Sequence, residues 1–238
     1  MSSDIVTGLR AIEGVDTGDG IALDVLTELL TEIELSLPPE HAKLLCGSNG
    51  LTVYHGYYRM FSIGPSRTID AVRWNYPECW RFAWDDRCSL FWCFGETGWG
   101  DQYAYKLADL REGRSPSVYF LEGLAMTPEV IANSFTDFLH GELIRNAIAP
   151  YSEMTRLAKE RFGPLQANLH LVYSPSILLG GEDSVENMQL MDAVTAMVFQ
   201  GDIATQIDNA PTGKRVSSVE HYQDDKHRMR LRLIWESV

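Results

Sequence analysis

The sequence predicts an α+β fold, with a mainly antiparallel, twisted sheet flanked by helices and a C-terminal α+β extension that ends in a β-hairpin. Three observations predict it. Apolar residues recur at helical spacing near the N-terminus, aromatic and β-branched residues are densest in the middle of the chain, and the C-terminal segment alternates strictly between polar and apolar residues.

Two helices are expected before the sheet. Residues 1–20 contain four glycines and little apolar periodicity, so they predict a loose lead-in. Between Ile21 and Ile33, apolar residues recur at three- and four-residue steps, which indicates one amphipathic helix. Prolines are tolerated in a first helical turn, so a second, short helix should begin at Pro38–Glu40 and end near Cys46, with Gly47 as its terminator.

The sheet should be formed by the segments that follow. Residues 51–54 and 57–63 form an aromatic hairpin, and residues 81–107 carry three further strand patterns, RFAWDD, CSLFWCFGE and DQYAYKL, separated by Asp or Gly turns. Residues 117–123 add another strand. Thr127-Pro128-Glu129 combines a capping hydroxyl, a proline and an acid, which predicts the start of a helix over residues 127–146.

The C-terminal part predicts alternating helices and strands. Residues 151–162 have helical periodicity, residues 169–173 read as a strand and residues 188–199 as a helix. The final hairpin joins residues 216–222 to residues 228–235 through a polar turn, and its second strand places Arg228, Arg230 and Arg232 on one face. That face would grip an anionic ligand or a partner's carboxylates, lie in solvent, or pair with the acidic N-terminal helix.

Pro150 is the best internal boundary. It divides the chain into the lead-in at 1–20, an α+β domain at 21–149 and an α+β extension at 150–238.

Charge and composition indicate the kind of partner. The 238-residue chain carries a formal net charge of -13, and residues 1–40 hold nine acids against Arg10 alone. Such a surface repels nucleic acid phosphates and attracts basic partners. The sequence has no apolar run of roughly 20 residues and no signal-peptide pattern, so a cytoplasmic location and no membrane contact are expected.

No catalytic or metal-binding motif is found. Phosphate-binding loops, nucleophile elbows and zincin helices are absent from the sequence, and the six histidines are scattered singly. The four cysteines lack paired C-x-x-C spacing, which favours buried free thiols. We therefore expect no cofactor, no bound metal and no enzymatic activity.

Three groups of residues are candidates for binding a partner. The segment Gly95–Asp101 contains three glycines, which indicate tight backbone turns around Trp99, and acids at Glu96 and Asp101. The tyrosines at positions 54, 57 and 58 could anchor an interface, although simple hairpin packing accounts for them equally well. The acidic pair at positions 85 and 86 follows a strand pattern, where aspartate is a usual turn former. The predicted binding surface combines these groups: Tyr54, Tyr57, Tyr58, Asp85, Asp86, Glu96, Trp99 and Asp101.

The order of these features resembles a known family. The helix LPPEHAKLL (37–45), the turn SNG, the aromatic hairpin, Trp74-Asn75 and the run FGETGWGDQYAY (94–105) are similar to the SUKH superfamily of bacterial immunity proteins and cell-wall-assembly regulators. This resemblance covers roughly residues 20–148. The segments FGPL (162–165), YSPSILLGG (173–181) and VENMQL (185–190) resemble the C-terminal part of immunity proteins paired with type VI secretion effectors, with Ser176-Ile177 and Met188 departing from the usual pattern.

The resemblance implies an immunity protein that binds a cognate secreted toxin stoichiometrically and occludes its active site. The toxin would be basic, a nuclease being one example, and delivery by a type VI or contact-dependent system is expected. Two alternatives stay open. One is an intracellular regulatory scaffold of the cell-wall-assembly-regulator type. The other is a metal-dependent hydrolase built on Asp85, Asp86, Glu96 and Asp101.

Overall fold

The computed structural model describes residues 2–64, 66 and 68–237, and it has the α+β architecture that the sequence predicts. Eleven strands form one seven-stranded antiparallel sheet, in the order β1 to β7, and two separate antiparallel pairs, β8–β9 and β10–β11. The strands are β1 (Asp16–Thr17), β2 (Leu51–Val53), β3 (Tyr58–Met60), β4 (Phe91–Thr97), β5 (Gln102–Lys106), β6 (Val118–Leu121), β7 (Pro128–Ala132), β8 (Leu169–Tyr173), β9 (Met188–Asp192), β10 (Lys214–Gln223) and β11 (Met229–Ser237).

Helices flank the sheet and connect it to the C-terminal part. The α-helices are α1 (Ser2–Arg10), α2 (Leu23–Glu32), α3 (Pro39–Gly47), α4 (Ala71–Trp74), α5 (Leu107–Arg111), α6 (Phe135–Phe138), α7 (Arg145–Ile148), α8 (Glu153–Phe162) and α9 (Ala193–Asp208). A π-helical segment, Leu139–Ile144, joins α6 to α7. Short 3-10 turns occur at Arg81–Ala83, Ile177–Leu179 and Val185–Asn187. None of the helices in the described ranges combines the length and the hydropathy needed to cross a membrane.

The large sheet is a meander in which each strand pairs with the next one in sequence. The β2–β3 hairpin is the predicted aromatic hairpin, and every residue of β4, at the centre of the sheet, is buried. A register shift between Cys93 and Gly95 bends β4 against β5. A Cβ at Gly95 would lie 2.5 Å from the carbonyl oxygen of Arg59, so glycine is required where these strands approach.

One hydrophobic core extends through most of the molecule. Its buried members run from Val6 in α1 to Ala204 in α9, and therefore lie on both sides of Pro150. The predicted division into two domains at that proline stays a prediction. Within the core, the His41 ring stacks on Phe135 at a centroid distance of 4.4 Å, and its Nδ1 lies 3.1 Å from the Tyr105 hydroxyl. Burial lowers the pKa of His41 to about 3, so the ring is neutral.

Two predicted helices begin later than expected, because a strand precedes each of them. Pro128 starts β7 instead of a helix, and the helical segment begins only at α6, where the Ser134 hydroxyl accepts from the Asp137 N–H at 3.1 Å. β7 is an edge strand, where proline costs no ladder hydrogen bond. Similarly, Met188–Asp192 forms β9, and α9 starts after the Asp192 carboxylate caps it.

Two further predictions differ from the structure. The segment RFAWDD is not a strand: it forms the 3-10 turn Arg81–Ala83, followed by a turn in which Asp85 has a left-handed φ of 49°. The N-terminal lead-in is not loose either, since Ser2–Arg10 is a helix that buries Val6 and Leu9. The four glycines of residues 1–20 argued against a helix, and the apolar stripe of this helix is too short to be recognised from its periodicity alone.

The C-terminal hairpin packs on α9, as its alternation predicts. Leu231 and Leu233 are buried together with Ile203 of α9. Among the described residues, the partners of Arg228 and Arg230 lie in the C-terminal part and at Phe82, and not in the acidic helix α2. Instead, Arg230 donates from Nε to both carboxylate oxygens of Asp202 at 2.9 and 3.0 Å, and the Arg228 guanidinium lies over the Phe82 ring.

Candidate functional site

A cleft of about 370 Å³ lies between the large sheet and the C-terminal elements. The sheet contributes Tyr58 of β3 and Phe120 of β6 to one wall. The other wall is built from the π-helical segment, the start of α8, β8 and α9. The cleft therefore exists only because the C-terminal elements pack against the sheet.

The lining of this cleft is acidic and aromatic. Among the residues that the structure describes, four carboxylates and five aromatic rings line it, whereas no Lys, Arg or His does so. Arg145 lies beside the lining, with its guanidinium 4.5 Å from the centroid of the Tyr151 ring. The acids are Asp101, Glu122, Glu142 and Asp183, and the aromatics are Tyr58, Trp99, Phe120, Tyr151 and Tyr173. Carboxylates and aromatic faces both attract cations, so the lining suits a basic group.

The β4–β5 turn holds Trp99 and Asp101 at the cleft. The Thr97 hydroxyl donates to Asp101 Oδ2 at 2.5 Å, and the Gly123 N–H donates to Oδ1 at 2.8 Å. Burial raises the pKa of Asp101 against these two hydrogen bonds. Gly100 turns the chain with a φ of 86°, which favours glycine, and a Cβ there would lie 2.9 Å from the sulfur of Met197.

Glu142 enters the cleft from the π-helical segment. Its Oε1 accepts from the Tyr103 hydroxyl and the Asn146 amide, each at 3.0 Å, and lies 3.5 Å from the Tyr151 hydroxyl. Burial raises the pKa of Glu142. Two of the four carboxylates are thus partly desolvated, and a bound cation would favour their charged forms. In a π-helical segment, side chains point in directions that differ from those of a regular α-helix. Such segments recur at functional sites.

A buried charged network connects β3, β4 and β8, and each of its members is the sequence neighbour of a residue that lines the cleft. The Arg59 guanidinium donates to Glu96 Oε1 at 2.8 Å, and His170 Nε2 lies 3.1 Å from Oε2. Burial alone would raise the pKa of Glu96, but His170 and Arg59 hold it below its usual value. Arg59 also donates to the carbonyls of Gln166 and Leu169 at 2.9 and 2.7 Å, which ties β3 to the C-terminal chain.

The structure divides the eight residues of the predicted binding surface. Tyr58, Trp99 and Asp101 line the cleft together. Tyr57 and Glu96 are 0% exposed, so neither presents a surface to a partner in this conformation. Tyr57 donates to the Gly163 carbonyl, and Glu96 belongs to the buried network, so a direct role of either residue in binding a partner stays a prediction.

The remaining three predicted residues lie outside the cleft. Tyr54 is half-buried and packs edge-on against Tyr57. Asp85 and Asp86 are exposed in the turn after the Arg81–Ala83 helix and do not line the cleft. The four acids of the hydrolase alternative therefore do not converge. Across the described ranges, no group of three or more His, Cys, Asp or Glu side chains is arranged to hold a metal ion.

Several residues that line the cleft are not among those predicted from the sequence. Glu122 follows β6, Glu142 lies in the π-helical segment, and Tyr151, Tyr173 and Asp183 belong to the C-terminal part. Their acidic or aromatic character was visible, but no local pattern separates them from ordinary surface residues. Only the packing of the C-terminal part on the sheet brings them together.

Comparisons with known proteins agree with this fold. The SMI1 / KNR4 family (SUKH-1) matches residues 20–141, slightly more than half of the chain. The crystal structure of Atu4351 from Agrobacterium tumefaciens is similar to this structure with a TM-score of 0.53 and 12% sequence identity, over 95% of this chain and 96% of that one. At that identity the likeness concerns the fold alone. No curated protein matches the sequence. The region that builds the large sheet and its flanking helices places this protein in the SMI1 / KNR4 family (SUKH-1).

Proposed function

We propose that this protein is an immunity protein that neutralises a cognate secreted toxin by stoichiometric binding. The observation that carries the proposal is the cleft, where four carboxylates and five aromatic side chains converge and no basic residue of the described chain belongs to the lining. The SUKH family includes immunity proteins that bind protein toxins, and this membership gives the proposal its class of partner.

The chemistry of the cleft suits a basic protein partner. Toxins that act on nucleic acids carry basic clefts, which must attract phosphates. A chain with a net charge of -13 would approach such a toxin rapidly at low ionic strength. Exposed aromatic groups such as Tyr151, which is 61% exposed, would then supply contact area at small entropic cost.

The mechanism we propose is occlusion without chemistry. The toxin's basic side chains would enter the cleft between the sheet and α9, and the bulk of the immunity protein would cover the toxin's active site. Delivery of the toxin by a type VI system is the most specific form of this proposal, because FGPL, YSPSILLGG and VENMQL resemble the corresponding immunity proteins. The producing cell's cytoplasm is the expected site of action.

Mixing the purified protein with the product of the adjacent toxin gene tests the proposal. A stable one-to-one complex on gel filtration at micromolar concentration is expected, together with loss of toxin activity. Separation of the two proteins under these conditions would reject a toxin partner. If the adjacent genes encode no toxin and the protein instead binds a cell-wall enzyme, the scaffold alternative replaces the proposal.

Charge reversal at the cleft tests the proposed surface. Asp183→Lys combined with Tyr151→Ala should weaken toxin binding at least about tenfold and slow association, because a cleft charge and an exposed aromatic contact are both removed. Glu28→Lys/Tyr76→Ala is the matched control, since it makes the same charge change at an exposed position on α2 and removes an exposed tyrosine outside the cleft. Equal effects of the cleft variant and the control would place the interface elsewhere.

A further inference from the structure

The C-terminal hairpin has one covered edge and one open edge. On the β11 side, α9 covers the backbone: the Leu231 N–H donates to Asp202 Oδ2 at 2.8 Å, and the Leu233 N–H donates to Gln206 Oε1 at 2.9 Å. The Gln206 amide returns a hydrogen bond to the Leu231 carbonyl at 3.0 Å. Within the described ranges, β10 pairs only with β11, so its outer edge is open along a ten-residue strand. Open edges of this length are templates for pairing with another strand.

The edges of the large sheet are protected in ways that β10 is not. At one end β1 is only two residues long, and at the other β7 begins with Pro128. Short edge strands and prolines both hinder strand addition. The outer edge of β10 is therefore a longer and less protected place for strand addition than either end of the large sheet, and it is twice as long as the five-residue strands β8 and β9.

A bulge gives β10 an unusual distribution of side chains. The register with β11 shifts between Val216 and Ser218, which leaves Ser217 as the extra residue. Val216 pairs with Trp235 and Val219 with Leu233, so both valines lie on the same face as these apolar residues. In a regular strand, two residues three apart would lie on opposite faces.

The same bulge places an opposite-charge pair on the other face. Arg215 pairs with Glu236 and Glu220 with Arg232, and these two β11 residues share a face because they are four residues apart. Arg215 and Glu220 therefore share a face too, although in a regular strand two residues five positions apart would lie on opposite faces. A bulge commonly discourages edge pairing. Here, however, it puts Arg215 and Glu220 on one face and Val216 and Val219 on the other, so two antiparallel copies of this strand would match face to face.

We propose that β10 pairs antiparallel with β10 of a second copy of this chain, about a twofold axis between Ser217 and Ser218. The segment Arg215–Glu220 reads RVSSVE, so this register sets Arg215 opposite Glu220 of the second copy and Val216 opposite Val219. Each contact occurs twice, as twofold symmetry requires. The two hairpins then form one four-stranded antiparallel sheet, with an opposite-charge pair on one face and an apolar pair on the other.

The local charge favours a second copy at this edge over other surfaces of the chain. The whole chain carries a charge of -13, so two copies repel each other over most of their surfaces. Between Lys214 and Ser237 the balance is reversed, with six Lys and Arg residues against four Asp and Glu residues. Val219 is 38% exposed and would lose part of this apolar exposure on pairing.

Sedimentation velocity over a range of protein concentrations tests the pairing. The full-length protein should show a reversible monomer–dimer equilibrium. Arg215→Glu and Glu220→Arg should each raise the dimer dissociation constant at least about tenfold, because each change sets two like-charge pairs across the dimer. The combined swap Arg215→Glu/Glu220→Arg restores opposite charges across the dimer, and adding Arg232→Glu/Glu236→Arg restores them within each hairpin. This fourfold swap should return the constant to within about threefold of the original.

Lys226→Glu, in the hairpin turn, is the control for a change of net charge and should leave the dimer intact. Circular dichroism verifies that each variant keeps its fold. A monomer at every concentration, a dimer unaffected by either single change, or a swap that fails to restore pairing would each overturn the proposal. If the protein is monomeric and the β10 variants lose toxin binding, the proposal is also overturned, because the β10 edge would then be the binding site for the toxin.

Discussion

Replacing Arg59 with methionine should cause a large loss of stability. The side chains of Arg59 and Glu96 are 1% and 0% exposed, so the change removes a buried guanidinium and leaves the Glu96 carboxylate in the core with His170 as its remaining ionisable neighbour. Removing one member of a buried ion pair costs about 3–5 kcal/mol, whereas the intact pair adds little relative to apolar residues. Since domains unfold with about 5–15 kcal/mol, the variant should lose a large fraction of its stability.

Urea unfolding of a double-mutant cycle measures this effect. Glu96→Gln removes the charge that Arg59 leaves behind, so Arg59→Met/Glu96→Gln should be more stable than the sum of the two single changes predicts, by about 1–3 kcal/mol. Arg114→Met is the matched control, because this arginine is 56% exposed and its ion pairs should contribute less than about 1 kcal/mol. Equal losses for Arg59→Met and Arg114→Met, or strict additivity in the cycle, would refute the argument.

Two further predictions concern other positions in the core. Because burial holds the pKa of His41 at about 3, the native state keeps the ring neutral while the unfolded chain protonates it near pH 6.5. The stability that this neutral ring contributes is complete above about pH 6.5 and is lost as the pH falls toward 3. In urea unfolding, the wild type should therefore lose about 2 kcal/mol more free energy of unfolding than His41→Leu between pH 7 and pH 5. The same pH dependence in both proteins would contradict this. Gly100→Ala should cost about 1–3 kcal/mol, since the backbone has a φ of 86° and the new Cβ would lie 2.9 Å from Met197. Gly141→Ala, where a Cβ meets no atom within 4 Å, should change the melting temperature little, and equal shifts would contradict the prediction.

The central sheet was predictable because its signals are local and agree with each other. The aromatic hairpin of β2 and β3 and the turn at Gly98–Gly100 combine strand propensity with suitable turn residues. Where the prediction failed, a local signal had two meanings. Thr127-Pro128-Glu129 satisfies the rules for a helix start, yet the same proline suits an edge strand, and only the position in the sheet decides between them.

The cleft was only partly predictable, for a different reason. Trp99 and Asp101 stand out in sequence because the surrounding glycines mark a tight turn. Glu142 and Tyr173 line the same cleft but belong to segments distant in sequence, and no local sequence pattern predicts that they lie close together. Glu96 was selected from the sequence but is buried in the structure. Its carboxylate suggested a surface role, and the arginine that pairs with it in the core lies 37 residues earlier in the chain, where no local pattern links the two.

The contacts of Arg59 limit how this chain can be divided. The region that matches the SMI1 / KNR4 family ends at residue 141, whereas Arg59 donates to carbonyl groups of Gln166, Ala167 and Leu169. A gene fragment encoding only the matched region would therefore keep the Gly56 carbonyl and Glu96 as acceptors for this guanidinium but lose the three carbonyl acceptors supplied by the C-terminal chain. An exchange of the C-terminal part with that of another protein would have to preserve this backbone path.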